Sequence, residues 1–198
     1  AVPILTVAAL IGNLSRAGFS WRETDWPAVG IYVLGAVPAA SAGAFIFVTL
    51  DAALIHRILG AFILLMIPAR RWAARHALRI QRWHLQPVGV VMGLLSGVVG
   101  TAGPVNAPFF LAYGLVKGAY LATEALGAAA VHVTKAGVYG RFAALDANTL
   151  LHGLIIGFAL IGGSWLGKRI VIRLDTEGFV RTVEALLAVA GITMVLGL

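Results

Sequence analysis

Residues 93–117 read GLLSGVVGTAGPVNAPFFLAYGLVK, an apolar stretch of membrane length broken in its middle by Gly100, Gly103, Pro104 and Pro108. One smooth helix does not hold that sequence. Each proline lacks a backbone donor and clashes with the preceding turn, and each glycine costs about 1 kcal/mol relative to alanine in a helix. Two half-helices joined by non-helical backbone are predicted, with Gly103 and Pro104 in the joint and the second half starting near Val105. In hydrocarbon, such backbone survives where other protein covers it or where it lines a polar cavity. Broken helices that aim a dipole end at an ion are a common way for secondary transporters to hold a substrate. The plainer alternative is a proline–glycine kink between two packed helices.

Composition puts the whole chain in a bilayer. Of its 198 residues 60% are hydrophobic and 12% charged, with a mean hydropathy of +0.94; a soluble globule of that composition exposes too much apolar surface. The net charge of +7 comes from basic residues crowded into loops beside apolar spans, the pattern of membrane orientation and headgroup contact rather than of nucleic-acid binding. The absence of cysteine excludes disulfides, thiolate metal sites and thiol redox chemistry. Residues 1–15 lack a basic leader region and a cleavage site, so they are read as a span and not as a signal peptide.

Outward from the broken segment, 87–116, further spans are predicted at 1–15, 27–50, 51–69, 118–140, 148–167 and 178–198, making an all-α, polytopic integral membrane bundle. Trp21 and Trp26 fall where amphipathic rings settle at the interface. Pro27 suits a helix start, Pro38 a kink, and Asp51 a cap. Residues 70–86 carry Arg70, Arg71, Arg75, Arg79 and Arg82 with no acid, so the positive-inside rule makes this loop cytoplasmic.

The chain also repeats itself. Asn13-Leu-Ser-Arg16-Ala-Gly18 and His132-Val-Thr-Lys135-Ala-Gly137 share a pattern of hydroxyl, cation, alanine and glycine at a constant offset of 119, and an arginine, Arg22 or Arg141, lies six residues past each cation. The later spans correspond in order, Arg57 answering Arg181. Duplication gives a first repeat at 1–69, a basic linker at 70–86 and a second repeat at 87–198, and predicts a counterpart of the broken segment ahead of residue 1. If 87–116 folds back as a re-entrant hairpin, Lys117, Lys168, Arg169 and Arg173 share the side of the basic loop. Charge asymmetry thus favours the hairpin and an inverted repeat.

Gly100-Thr-Ala-Gly103-Pro104-Val-Asn-Ala-Pro108, followed by Gly127 and Lys135, together with the stretch GNLSRAGFSWRETDW at 12–26, resembles the sulfite exporter TauE/SafE family of membrane permeases. Repeats in that family carry a glycine cluster, a proline about five residues on, and then a small-residue helix with a cation. Ala102 and Pro104 stand where the family has glycines, and Ala128 and Ala129 where it often has Thr-Ser. The resemblance implies a multi-pass permease of the bacterial cytoplasmic membrane that moves sulfite, organosulfonates or similar small anions.

Candidate substrate-binding residues are Gly100, Thr101, Gly103, Asn106, His132, Lys135, Asn13 and Arg16. Lys135 either snorkels to the interface, some five residues from its helix end, or faces a cavity with Arg16. His132 precedes Lys135 by three residues and Asn13 precedes Arg16 by three, so each pair shares a helix face. Glu124 and Glu184 are candidate coupling groups, since an intramembrane carboxylate invites a functional reading. Helical spacing also lets Glu177 and Glu184 pair with Arg181. Neither cofactor nor metal is expected, and no catalytic motif stands out. The partners expected are a small anion and the lipid bilayer, without nucleic acid; a homo-oligomer fits the pattern equally. A passive anion channel, a structural membrane anchor, or a haem-bearing anchor using His132 and His152, are the rival classes.

Overall fold

The computed structural model describes residues 2–49, 80–99, 103–142, 145–175, 177–179, 181 and 182. Over these residues the chain is helical, with α1 (Val2–Phe19), α2 (Trp26–Thr49), α3 (Leu85–Val99), α4 (Gly103–Tyr113), α5 (Lys117–Arg141) and α6 (Ala147–Val171), plus short 3₁₀ turns at Trp21–Glu23 and Arg82–His84. Helices α1, α2 and α6 are long and apolar enough to cross a membrane. The expected spans 51–69 and 178–198, and most of the basic loop, lie outside the described residues.

Two boundaries differ from expectation. Gly103 and Pro104 do not fall in non-helical backbone; they open α4. The physical reason is positional, because the first turn of a helix has no use for the donor that proline lacks. Pro108 sits inside α4, where it omits one bond of the ladder. At the other end Gly114 adopts φ +105°, the amide of Gly114 donates to Leu111 O at 2.9 Å, and that of Leu115 to Phe110 O at 3.1 Å. This pair of bonds with a left-handed glycine stops α4 cleanly. Helix α1 runs four residues past the predicted end, so Arg16 is helical and not in the loop.

Helices α2 and α3 lie parallel with their backbones in contact. Gly35 and Gly43 of α2 face the carbonyls of Gln86 and Leu94, while Gly89, Gly93 and Gly97 of α3 face Tyr32, Ala36 and Ala44. Small residues permit this approach, and in a membrane van der Waals contact of this kind is what holds helices together. The directions of the other helices follow from their contacts. Gly153 of α6 rests on Val7, Gly157 on Ile11, and Leu160 on Gly12, so α1 and α6 run the same way. Tyr32 packs on Gly127 and Phe45 on Phe142, so α2 runs with α5. Glu23 sits over Gly118, which joins the end of α1 to the start of α5 and makes the two pairs antiparallel.

The start of α3 and the end of α4 lie at the same end of the bundle. The amide of Ile80 donates to Ala112 O at 3.3 Å, and the Tyr113 hydroxyl donates to Asp25 Oδ2 at 3.0 Å. Asp25 also accepts from the Ala28 amide through Oδ1 and donates its own amide to Thr123 Oγ1, tying the starts of α2 and α5 to the end of α4. Exposed Trp21, Trp26 and Trp83 cluster at this end, where amphipathic rings are favoured at an interface.

At the opposite end Asp146 caps α6, accepting from the Thr149 amide at 2.7 Å. Hydrogen bonding from the Thr149 side chain, and then from its amide, holds the Asp146 carboxyl below its ordinary range, because it favours the charged form. The cap's contribution is therefore complete above the unfolded-state range and is lost as pH falls through the lowered folded value. Asp146→Ala should lower the melting temperature at neutral pH by a few degrees and have no effect at strongly acidic pH, as read by thermal unfolding in detergent.

Candidate functional site

Helix α5 is the least apolar of the long helices and the most enclosed. Its buried residues include Thr123, Glu124, His132, Lys135 and Tyr139, and Glu124, His132, Lys135 and Tyr139 recur at helical multiples along one flank. A polar stripe on the inside of a membrane bundle is costly unless its groups are partnered, and such stripes mark pathways for ions and substrates.

Near the start of α5 the stripe meets α1. Arg16 Nη2 donates to Glu124 Oε2 at 2.7 Å and also to Asn13 Oδ1. Glu124 is 1% exposed and the Arg16 side chain 31%. Removing one partner of such a pair leaves an uncompensated buried charge, at about 3–5 kcal/mol. Glu124 Oε1 has no hydrogen-bond partner among the described residues. The open side of Arg16 borders a cavity of about 250 Å³, lined also by Phe19, Leu121, Leu160, Ser164 and Lys168. Lys168 Nζ donates to the Phe19 carbonyl, a cation at the C-terminal end of α1 where the helix dipole favours it.

Eleven residues further along α5, about 16 Å by helical rise, Lys135 is fully buried. It does not snorkel. Its Nζ lies 3.5 Å from Ser96 Oγ of α3 and 3.5 Å from His132 Nδ1, both at the outer limit of hydrogen bonding. One turn on, the Tyr139 hydroxyl donates to Gly97 O at 3.1 Å.

Between the two cations sits a neutral pair. Asn106 Nδ2 donates to the Tyr32 hydroxyl at 2.7 Å; both residues are 2% exposed, and Asn106 Oδ1 lacks a partner among the described residues. The Tyr32 ring lies against Gly127, where a β-carbon would strike it, and stacks at a tilt on Phe110 with centroids 5.2 Å apart.

Of the residues singled out by sequence, Asn13 and Arg16 therefore share one cluster and His132 and Lys135 another, with Asn106 at the level between them and Gly103 at the start of α4. Gly100, Thr101 and Glu184 lie outside the described residues. Three partners are not evident from the sequence: Glu124 as the mate of Arg16, Ser96 beside Lys135, and Tyr32 beside Asn106. Opposite charges in two apolar spans were the available signal for the first, since such groups pair with one another. Arg181 pairs with Glu177 on the surface, the spacing expected. His132 is buried whereas His152 is exposed and bonds to Asn148 O within its own helix, so the two imidazoles do not face each other across a haem-sized gap.

The family model for the sulfite exporter TauE/SafE matches residues 1–194. The chain belongs to the sulfite exporter TauE/SafE family. TauE/SafE proteins are membrane transporters of sulfite or related anions and not enzymes, in keeping with the three long apolar helices. No curated protein and no solved structure matches the chain significantly.

Proposed function

We propose that this TauE/SafE protein is a secondary permease carrying a small anion, such as sulfite or an organosulfonate, across the cytoplasmic membrane. The carrying observation is the buried Lys135 side chain beside His132 and Ser96, on the same flank of α5 as the Arg16 cluster. A cation held inside a membrane bundle attracts a negative solute strongly, because little water screens it. An anion passing along α5 meets the guanidinium at one level, the amide of Asn106 at the next, and the ammonium at the third. Turning the Asn106 amide by half a revolution keeps its bond to Tyr32, the hydroxyl now donating to Oδ1, and frees the N–H₂ group for an anion oxygen. The first amides of α4, from Gly103, add donors and a favourable dipole end.

The chain directions support the inverted-repeat reading: α1 with α6, and α2 with α5, form parallel pairs of opposite sense. The return of 85–113 to its starting end supports a re-entrant, broken segment. Arg16, Arg22, Arg82, Lys117, Lys168, Arg169 and Arg173 all fall toward that end, so the positive-inside rule makes it cytoplasmic together with the loop 70–86. Uptake of labelled solutes into proteoliposomes tests the proposal. Sulfite and short alkanesulfonates should enter well above protein-free vesicles, and sodium or choline should not. Entry of none of the anions, or of a cation in their place, would overturn it.

A further inference from the structure

Among the described residues Glu124 is the one buried acid, and its two oxygens are treated differently. Oε2 holds Arg16, while Oε1 is buried with no hydrogen-bond partner among the described residues. Arg16, whose guanidinium holds the carboxylate, also lines a half-open cavity with a largely apolar wall that includes Lys168 and Ser164. Among the described residues, Tyr32 of α2, Tyr120 and His132 of α5 and Lys168 of α6 are titratable neighbours of the pair, and Glu23 of the turn after α1 lies at Gly118 near the start of α5.

With the cavity empty the pair is neutral. An anion that enters and binds Arg16 brings a second negative charge against the same guanidinium, leaving one uncompensated charge in a poorly solvated place. Like charges sharing a site favour the neutral acid, and the unpartnered Oε1 is the atom able to accept a proton. We propose that Glu124 and the transported anion compete for Arg16, so that each monovalent anion bound is accompanied by one proton on Glu124 and the two cross the membrane together. The proton comes from water at the cavity mouth. When the anion leaves, Arg16 returns to the carboxylate and the proton goes back to water on the side of release. This mechanism rests on the permease reading and assigns its driving ion.

The test uses ethanesulfonate, whose sulfonate does not titrate near neutral pH, and purified protein in a weakly buffered detergent solution with a pH-indicator dye. Binding is followed separately by calorimetry. Wild-type protein should take up about one proton per anion bound, and Glu124→Gln none. In proteoliposomes an imposed inward proton gradient should drive accumulation by the wild type and not by Glu124→Gln. Binding by the wild type without proton uptake would overturn the coupling and leave the permease reading intact, and this measurement needs no variant to fold. Equal proton-driven accumulation by Glu124→Gln would do the same. Failure of the wild type to bind either ethanesulfonate or sulfite would remove both.

Discussion

Lys135→Met should reduce uptake of sulfite or sulfonate by roughly 100-fold or more while the protein remains folded and monodisperse in detergent. The side chain is fully buried against α3, with Ser96 Oγ and His132 Nδ1 both at 3.5 Å. Losing a buried, charged hydrogen-bond partner costs a ligand about 2–5 kcal/mol, and each 1.4 kcal/mol is tenfold. Methionine keeps the length and apolar stem of lysine, so packing is retained while the amine and its polar contacts are lost. Lys135→Arg should recover part of the activity, because the charge returns on a planar group of different reach. Uptake and melting temperature measured side by side separate the readings: a structural lysine would lower both, and unchanged uptake in Lys135→Met would remove it from the pathway.

The largest expected effect on the fold is at Gly93. A β-carbon there would lie 2.8 Å from Ala36 Cα and 2.9 Å from its carbonyl carbon, and backbone atoms in a packed helix pair cannot turn aside as a side chain can. Ordinary overpacking costs about 1–3 kcal/mol. Gly93→Ala should therefore melt several degrees below the wild type. Gly93→Leu, which demands that α2 and α3 separate along their length, should give no monodisperse protein on size exclusion. Gly137→Leu is the control, since that glycine is exposed with nothing within 4 Å. A stable Gly93→Leu protein would show that the α2–α3 contact does not hold the bundle.

Much of this architecture is written locally. The apolar runs, the Trp-rich end and the shared faces of Asn13 with Arg16 and of His132 with Lys135 need only hydropathy and the period of a helix. The helix ends were less legible. Pro104 signals a break to a reader counting hydrogen bonds, yet proline is equally a helix starter, and only the fold shows which role applies. The partners were least legible of all. Arg16 and Glu124 are 108 residues apart in the chain, and Tyr32 and Asn106 are 74 apart. Pairing them requires knowing that α1 opposes α5 and that α3 and α4 both pack beside α2. The single polar pocket suggested by residue types becomes instead two cation clusters about 16 Å apart along α5, a separation fixed by eleven residues of helical rise.

The chain contains no cysteine, so a thiol introduced at Ser96 is the sole target of thiol reagents. Ser96→Cys places it beside the Lys135 side chain, at the far level of the polar flank from Arg16. If small anions travel that flank, a sulfonate-bearing methanethiosulfonate should modify Cys at this position at least tenfold faster than its trimethylammonium counterpart, and ethanesulfonate should slow the reaction. Equal rates with the two reagents, or faster reaction with the cationic one, would contradict an anion pathway along α5.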